Sequence, residues 1–477
     1  MSPEIISILV LVAIFVVATV LPINIGILGF VAAFVVGSTL AGMDGETLLE
    51  DGFPDELAVT LIGITLLFAM AQNNGTVDWL VRCAVRAVRG RVAAIPWVMF
   101  AVAGVLTAFG AVSAAAVAII APVALGFAYR YKISPLMMGI MVVNGAQAGG
   151  FSPTSIYGTI TNDAVAQADL PSSPLTLFLA SFFFNLAIAV VTFVLFGGLG
   201  LLKRRTGDGD GDEGEAPAGG TASPAAASSN GGAGAAGGGA NGAGGAVGAG
   251  TGGGGTATAT KTSTQTVTVG DDLANGSVRP TPYQLFTVVG LLALAVATLV
   301  YELDIGLVAM VVALAVALVS PWSQKKAIQH ISWPVVLLIS GMLTYVYVLD
   351  EMGTITYAGN AVAGVGSALL AALLMCYVGG IVSAFASSTA LLPAIIPMAV
   401  PFLATGEVGA VGAVAAIAVA TTVVDVSPFS TNGAIVLANS EEDDQDRVYK
   451  QLLIFGGAVV AIAPLATWLV MVAPGWL

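Results

Sequence analysis

Charged side chains are scarce in this sequence, which limits the classes of protein it can encode. Only 9% of its 477 residues are Asp, Glu, Lys or Arg, whereas 57% are hydrophobic. The runs 5–21 and 174–202 contain no charge at all. A typical soluble domain carries about 25% charged residues, so this composition predicts an integral membrane protein. The formal charge of -13 comes from acids in loops such as 43–56 and 441–446, and predicts no nucleic-acid partner.

Cysteine and histidine are nearly absent, and this excludes several kinds of chemistry. Cys83 and Cys376 are the two cysteines, and they form neither a CxxC motif nor a disulfide framework. His330 is the single histidine, so neither a His-based metal cluster nor a Ser-His-Asp triad can be assembled. We therefore expect no enzyme, no metal site and no cofactor.

A segment of Gly, Ala, Ser and Thr divides the apolar sequence into two halves. It covers 206–277, starts with the acidic stretch GDGDGDEGE, and cannot bury enough apolar surface to offset its ordering entropy. The sequence predicts three units: a first transmembrane repeat at 1–205, a disordered linker at 206–277 and a second transmembrane repeat at 278–477.

The two halves resemble each other, which predicts an ancestral duplication. Four blocks match in one order: NIGILGFVAAFVVG from 24 with DIGLVAMVVALAVA from 304, LIGITLLFAMAQNNGTV from 61 with LISGMLTYVYVLDEMGTI from 338, TAFGAVSAAAVAIIAP ending at 122 with SAFASSTALLPAIIP ending at 397, and GGFSPTSIYG from 149 with VDVSPFSTNG from 424. In the last pair, Ser, Pro, Ser and Gly recur at an offset of 275 positions. Both copies place helix-breaking, polar residues inside apolar surroundings.

Basic residues predict how the halves are oriented, because Lys and Arg concentrate in cytoplasmic loops. The clusters 82–91, 130–132, 203–205 and 325–326 place the linker in the cytoplasm and both termini outside it. The repeats then run in opposite directions. We expect an all-α, polytopic protein of the plasma (inner) membrane with about ten transmembrane helices, two re-entrant hairpins and two broken helices. Inverted repeats with paired broken helices are typical of secondary transporters.

The charges also restrict what the breaks can bind. No Lys or Arg lies in the middle of a predicted span, so a midplane anion must be held by hydroxyls, amides, backbone N–H groups and a bound cation. The alternative is that these hydroxyls bond back to their own helices and the prolines are kinks. The candidate substrate-binding residues are Ser152, Thr154, Ser155, Ser388, Thr389, Ser430, Thr431 and Asn432.

Asp425 is the most deeply placed acid in the sequence. Intramembrane carboxylates usually mark an ion or proton site, so we assign it to cation coupling; the alternative is a helix cap or an acid beside a water-filled vestibule. Asn144 and Gln147 either line the substrate path or join helices by hydrogen bonds. The candidate cation-coupling residues are Ser113, Ser387, Asp425 and Ser427.

The stretch VVNGAQAGGFSPTSIYGTITN in the first half resembles the malonate and dicarboxylate carriers of the MatC type. The whole layout resembles the wider ion-transporter superfamily that includes the divalent anion:sodium symporters. In those symporters a Ser-Asn-Thr motif at each hairpin tip binds Na⁺ and the substrate carboxylates. By position the tips here are 111–114 and 387–389, where AVSA and SST depart from that motif. The resemblance also implies elevator-type transport and homodimers.

These observations together predict a transporter that couples a small dicarboxylate, such as malonate or a C4-dicarboxylate, to Na⁺ or H⁺ in symport. The partners would be that anion, the coupling ion and the lipid bilayer. A Na⁺/H⁺ antiporter or an oxyanion efflux carrier of the same superfamily is the alternative. A channel is disfavoured because two hairpins would obstruct a continuous path.

Overall fold

A computed structural model describes most of the chain outside the linker. The described residues are 2–21, 23–87, 91–168, 170–202, 279–301, 303–357, 367–385, 388–403 and 406–475. All regular secondary structure in these ranges is helical, and they contain no strand. The predicted all-α class is therefore confirmed for the described part of the chain, whereas the linker prediction falls outside it.

The first half contains eleven described α-helices, besides a π-helical turn at Gly37–Ala41. They are α1 (Pro3–Val20), α2 (Ile25–Val36), α3 (Gly45–Glu50), α4 (Asp55–Asn73), α5 (Thr76–Ala87), α6 (Ala94–Ala108), α7 (Ser113–Arg130), α8 (Pro135–Gly149), α9 (Ile156–Gln167), α10 (Pro174–Leu195) and α11 (Gly198–Leu201).

The principal described helices of the second half follow the linker. They are α12 (Pro282–Val300), α13 (Ile305–Val319), α14 (Pro321–Ala327), α15 (Trp333–Glu351), α16 (Ala368–Ser383), α17 (Ser388–Leu403), α18 (Ala410–Val423), α19 (Thr431–Ala438) and α20 (Gln445–Met471).

The helices have the length and apolarity that a bilayer requires. Five helical segments of the described residues can cross a membrane by length and composition, and shorter apolar helices accompany them. Large apolar side chains also cover the outside of the molecule: Val31, Phe183 and Leu318 are 57%, 60% and 75% exposed. Soluble proteins rarely expose so much apolar surface to water, whereas a surface of this kind is expected against lipid. The membrane assignment is therefore supported, while the count of about ten spans stays a prediction.

Helices of the two halves pack against each other in a reciprocal pattern. Helix α2 packs against α15, and α4 packs against α13. The first matching pair of sequence blocks lies on α2 and α13, and the second pair lies on α4 and α15. In each contact, a helix of one pair therefore packs against the helix of the other pair that comes from the opposite half. Glycines allow the close approach: a Cβ on Gly26 would lie 1.9 Å from Leu337 O, and one on Gly341 would lie 1.9 Å from Gly26 O. Small residues at helix crossings let membrane helices approach at backbone distance.

Each half also has a helical hairpin followed by an interrupted helix. Helices α6 and α7 are joined by a tight turn in which Gly110 has φ +102°, a conformation that favours glycine. Helix α8 then stops at Gly149 and the chain becomes helical again at Ile156. In the second half α18 stops at Val423 and α19 starts at Thr431. Both interruptions fall on the repeated Ser-Pro sequence, as predicted.

Candidate functional site

The interruption between α8 and α9 (residues 150–155) and the one between α18 and α19 (residues 424–430) fold in the same way. We call them the first and second breaks. Ser155 Oγ donates a hydrogen bond of 2.6 Å to Ser152 O, and Ser430 Oγ donates one of 2.6 Å to Ser427 O. Each of these hydroxyls is also the N-cap of the following helix, since it accepts from the backbone N–H three residues on. The hydroxyl hydrogens of Ser155 and Ser430 are thus used inside the breaks.

A glycine completes each break. Gly158 and Gly433 donate the backbone N–H that reaches the capping serine, at 3.3 and 3.4 Å. A Cβ on Gly158 would lie 2.1 Å from Ser152 O, and one on Gly433 would lie 1.9 Å from Ser427 O. Since real Cβ atoms do not approach so closely, both positions require glycine. The sequence repeat is therefore a repeat of one backbone turn.

The tip of each hairpin lies beside the break of the other half. Helix α7, which begins at Ser113, packs against α19, and α17, which begins at Ser388, packs against α9. The side-chain amide of Asn432, in the first turn of α19, donates a hydrogen bond of 2.9 Å to Ser113 Oγ. Tips and breaks that are far apart in sequence therefore converge in one buried region.

Asp425 lies at the centre of this region, and its side chain is only 3% exposed. Its Oδ2 accepts hydrogen bonds from Gln147 Nε2 at 3.2 Å and from Asn432 Nδ2 at 2.9 Å. Among the described residues, Asp425 is the one buried side chain that carries a formal charge, and no buried Lys or Arg accompanies it. A buried carboxylate with no basic partner is costly unless a proton or cation compensates it.

Further polar groups surround this carboxylate. The hydroxyls of Ser430 and Ser388 and the backbone N–H of Asn432 interact with it. We define the central cluster as Gln147, Ser388, Asp425, Ser430 and Asn432, with Ser113 attached through Asn432. It joins residues from both halves of the chain.

Tyr157 is a member of this region that the sequence reasoning missed. Its ring packs against Phe151 at a centroid distance of 5.6 Å, and its hydroxyl interacts with Thr389, Ser113 and Gln147. A usable signal was present, because position 157 lies 275 before Asn432, the residue that contacts the opposite tip in the second half.

The other predicted residues are placed as follows. Ser152 and Thr154 are buried in the first break, where Thr154 Oγ1 donates a hydrogen bond of 2.5 Å to Ala108 O at the end of α6. Ser427 Oγ accepts from the N–H of Phe429 at 3.3 Å, inside the second break. Thr431 is exposed, so the structure does not bring it into the central cluster. Ser387 lies outside the described residues.

Asn144 lies one helical turn before Gln147 on α8 and is fully enclosed. Its Nδ2 donates a hydrogen bond of 3.0 Å to Ile140 O, within its own helix. Its Oδ1 has no hydrogen-bond partner and is buried. The structure therefore shows no hydrogen bond from the Asn144 side chain to another helix. It gives no support to the alternative in which Asn144 links two helices.

A cavity of about 540 Å³ opens near the N-terminus of α4 and is lined by acids. Its carboxylates come from Glu50, Asp51, Asp55, Glu56, Asp163 and Asp350. Such a concentration of one sign of charge attracts cations and repels anions. The charge rule that places the basic clusters in the cytoplasm also predicts that the acidic loop 43–56, which carries the first four of these acids, is extracytoplasmic.

Comparison with known protein families gives a match to the first part of the chain. Residues 1–150, from the start of the chain to the end of α8, match the family model described as dicarboxylate carrier protein MatC N-terminus. No curated protein matches the chain. The predicted resemblance to the MatC-type dicarboxylate carriers is thereby confirmed over residues 1–150.

Proposed function

We propose that this protein is a secondary active transporter that carries a small dicarboxylate, such as malonate or a C4-dicarboxylate, across the plasma membrane together with Na⁺ or H⁺. The observation that carries this proposal is the position of Asp425, a buried and uncompensated carboxylate where hairpin tips meet breaks. The match to the dicarboxylate carrier family over residues 1–150 supports the substrate class and a carrier rather than an enzyme.

Electrostatics explains why the substrate would need a coupling ion. Two like unit charges about 4 Å apart repel by about 4 kcal/mol at an effective dielectric constant of about 20. A dianion that approaches Asp425 meets this repulsion, and no buried basic side chain of the described residues offsets it. A cation or proton at Asp425 removes the repulsion, so binding of the ion and binding of the dicarboxylate favour each other.

The groups that would hold the dicarboxylate are uncharged donors. Thr389 and Tyr157 offer hydroxyls beside the central cluster. The Ser388 hydroxyl and both amide hydrogens of Asn432 are used within the protein. The first turns of α9 and α19 add backbone N–H groups, whose positive end favours an anion. Ser155 and Ser430 contribute by capping these helices, so we assign them to positioning.

The reciprocal packing of α2 with α15 and α4 with α13 supports inverted repeats, which we propose as the basis of alternating access. In such transporters one set of helices moves against the other around a fixed site. Homodimers and elevator-type movement are part of the proposal through the family resemblance alone.

A second function is favoured by the acidic cavity and by Asp425 together. Both attract cations, and neither is specific for a dicarboxylate. An exchanger of Na⁺ for H⁺ would need these same two features, and an oxyanion efflux carrier would share the uncharged donors. The experiment that tests the first function also separates it from these.

The test is uptake of labelled malonate and succinate into proteoliposomes, with Na⁺ and pH gradients imposed separately. We expect accumulation driven by one of the two gradients, and its loss in Asp425→Asn. Asp443→Asn, which removes an exposed acid outside the central cluster, is the matched control and should accumulate substrate like the wild type. If folded wild-type protein takes up neither acid under any gradient, the dicarboxylate function is wrong, and Na⁺-driven pH changes would indicate exchange.

A further inference from the structure

Three buried oxygen atoms of the central cluster lack a hydrogen-bond partner. They are Asp425 Oδ1, Gln147 Oε1 and Asn432 Oδ1. All three side chains meet at one atom, Asp425 Oδ2, which accepts from both amide nitrogens at 3.2 and 2.9 Å. Each unpartnered oxygen is joined to this junction through the carbon of its own carboxylate or amide group. The three oxygens therefore belong to side chains that meet at one hydrogen-bond acceptor.

The hydroxyls beside Asp425 do not supply the missing hydrogens. Ser430 Oγ donates to Ser427 O at 2.6 Å, so its hydrogen is directed away from the carboxylate. Ser388 Oγ lies 2.8 Å from Ser383 Oγ and donates to Thr421 O at 3.4 Å. Both hydroxyls thus add further lone pairs to the cluster. Apart from the backbone N–H of Asn432 beside Asp425 and the Tyr157 hydroxyl beside Gln147, the region is rich in oxygen and poor in hydrogen-bond donors.

Such a group of oxygens is stable only with a positive charge among them. An unpaired buried oxygen is destabilising, and more so where it is charged. A proton on Asp425 Oδ1 would satisfy that oxygen and one neighbour, which leaves the third unpaired. A metal cation accepts several oxygen ligands at once, and carboxylate and amide oxygens are the ligands that hard cations prefer.

The charge of the ion follows from the charge of its ligands. A single carboxylate balances one positive charge, whereas a divalent ion would leave an uncompensated charge in the interior. No group of three or more His, Cys, Asp or Glu side chains that could hold a metal ion occurs in the described parts of the chain. The ligand set therefore suits an alkali cation.

The geometry points to a Na⁺ site formed by Asp425 Oδ1, Gln147 Oε1 and Asn432 Oδ1. This inference rests on the proposed function, for which it supplies the coupling ion and its ligands. It differs from the tip motif that the family resemblance implies, because two of the ligands belong to the second break and its helix and the third to α8. Gln147 joins α8 of the first half to the break of the second, so relative movement of the halves would alter the site.

The site exists in one half only. The positions 275 before Asp425 and Asn432 are Gly150 and Tyr157, and the position 275 after Gln147 is Thr422. The first break therefore lacks the carboxylate, although its backbone turn is the same. We expect one Na⁺ at this position and no second one related to it by the repeat.

The experiment is equilibrium binding of ²²Na⁺ to the full-length protein, purified into lipid nanodiscs, with no dicarboxylate present. We expect saturable binding by the wild type, at least a tenfold weaker affinity in Asp425→Asn, and wild-type affinity in Asp443→Asn. In the double variant Asp425→Asn/Gln147→Glu the carboxylate moves to the neighbouring ligand, so part of the affinity should return. A purely structural role for Asp425 would not allow this recovery.

Two results would overturn the site: no saturable ²²Na⁺ binding by folded wild type, or wild-type affinity in Asp425→Asn. If Asp425→Asn does not fold, Gln147→Met removes one ligand oxygen and keeps the side-chain length, and it should weaken binding as well. The outcomes separate this inference from the proposed function. Na⁺ binding without dicarboxylate uptake would support the site and contradict the transport proposal, whereas proton-driven uptake without Na⁺ binding would do the reverse.

Discussion

The side-chain amide of Asn432 donates a hydrogen bond of 2.9 Å to the hydroxyl of Ser113, a residue that precedes it by 319 positions. The same nitrogen donates to Asp425 Oδ2 at 2.9 Å. Asn432 therefore connects the tip of the first hairpin to the carboxylate of the second break. Any movement of α7 relative to α19 acts on the group that orients Asp425.

This connection predicts different effects at its two ends. Asn432→Ala should lower gradient-driven dicarboxylate uptake by at least tenfold, because Asp425 loses one of its two amide donors. Ser113→Ala should lower it less, since both donors remain. The double variant should resemble Asn432→Ala, because residues in one hydrogen-bond network are not additive. Initial uptake rates in proteoliposomes measure all three.

The control for this series is Asn439→Ala. Asn439 is the C-cap residue of α19, and its amide donates only within that helix. Uptake by this variant should stay close to the wild type. Strictly additive losses in the Ser113 and Asn432 variants would contradict the connection.

The glycines of the breaks predict a second result, on stability. Gly433→Ala places a Cβ 1.9 Å from Ser427 O, and Gly158→Ala places one 2.1 Å from Ser152 O. Because backbone must shift, we expect each change to lower the free energy of unfolding by about 1–3 kcal/mol or more. Thermal unfolding of the purified protein measures this as a lower Tm.

Gly457→Ala is the matched control for these two changes. Gly457 lies in α20, where a Cβ would meet nothing within 4 Å. Alanine in an open helical position is more favourable than glycine by roughly 0.5–1 kcal/mol, so Tm should stay the same or rise. If all three variants unfolded at the same temperature, the close packing of the breaks would be wrong.

The positions of the breaks could be predicted from the sequence because their signals are local. Pro153 and Pro428 disfavour a helical residue before them, and a serine two positions later can start the next helix. The structure places both breaks there. The role of the serine hydroxyls could not be predicted, since a hydroxyl can cap a helix or bind a substrate, and composition does not distinguish the two. Ser155 and Ser430 form caps.

The composition of the central cluster depended on contacts between distant segments. Asp425 stood out because a carboxylate in an apolar run is rare. Tyr157 did not, because a tyrosine near a membrane helix is common and its neighbours come from α7, α8 and α17. For Gln147 the sequence leaves open a place in the substrate path or a hydrogen bond between helices, and it does not name Asp425, 278 positions later, as the partner that the amide contacts. Such pairings arise from helix packing, which a single sequence does not specify.

Tyr157 gives the third prediction, on substrate affinity. Tyr157→Phe removes the hydroxyl beside Thr389 and keeps the ring that packs on Phe151. A hydrogen bond to a charged group contributes about 1.5–3 kcal/mol, so KM for the dicarboxylate should rise by about tenfold or more while Tm changes little. Tyr357→Phe, at an exposed tyrosine, should leave KM at the wild-type value. An unchanged KM in Tyr157→Phe would remove this residue from the site.

The acidic cavity predicts that uptake depends on ionic strength. Glu50 and Asp51 line it at the C-terminal end of α3, where loss of negative charge does not destabilise a helix. Glu50→Gln with Asp51→Asn should therefore lower KM for an external dicarboxylate in dilute buffer, because the approaching dianion meets less repulsion. The advantage should shrink as salt is added, since the Debye length falls from about 10 Å at 0.1 M to about 3 Å at 1 M.

The same double variant should act in the opposite sense on the cation. Fewer carboxylates in the cavity attract less Na⁺, so a higher external Na⁺ concentration should be needed for half-maximal uptake, again only at low ionic strength. Glu442→Gln with Asp443→Asn removes the same charge from the exposed turn Glu442–Asp444 and is the control. Suppose that both double variants changed the KM for the dicarboxylate and the Na⁺ concentration for half-maximal uptake by the same factor. In that case net charge would explain the effect, and the cavity would not be the entrance for either ion.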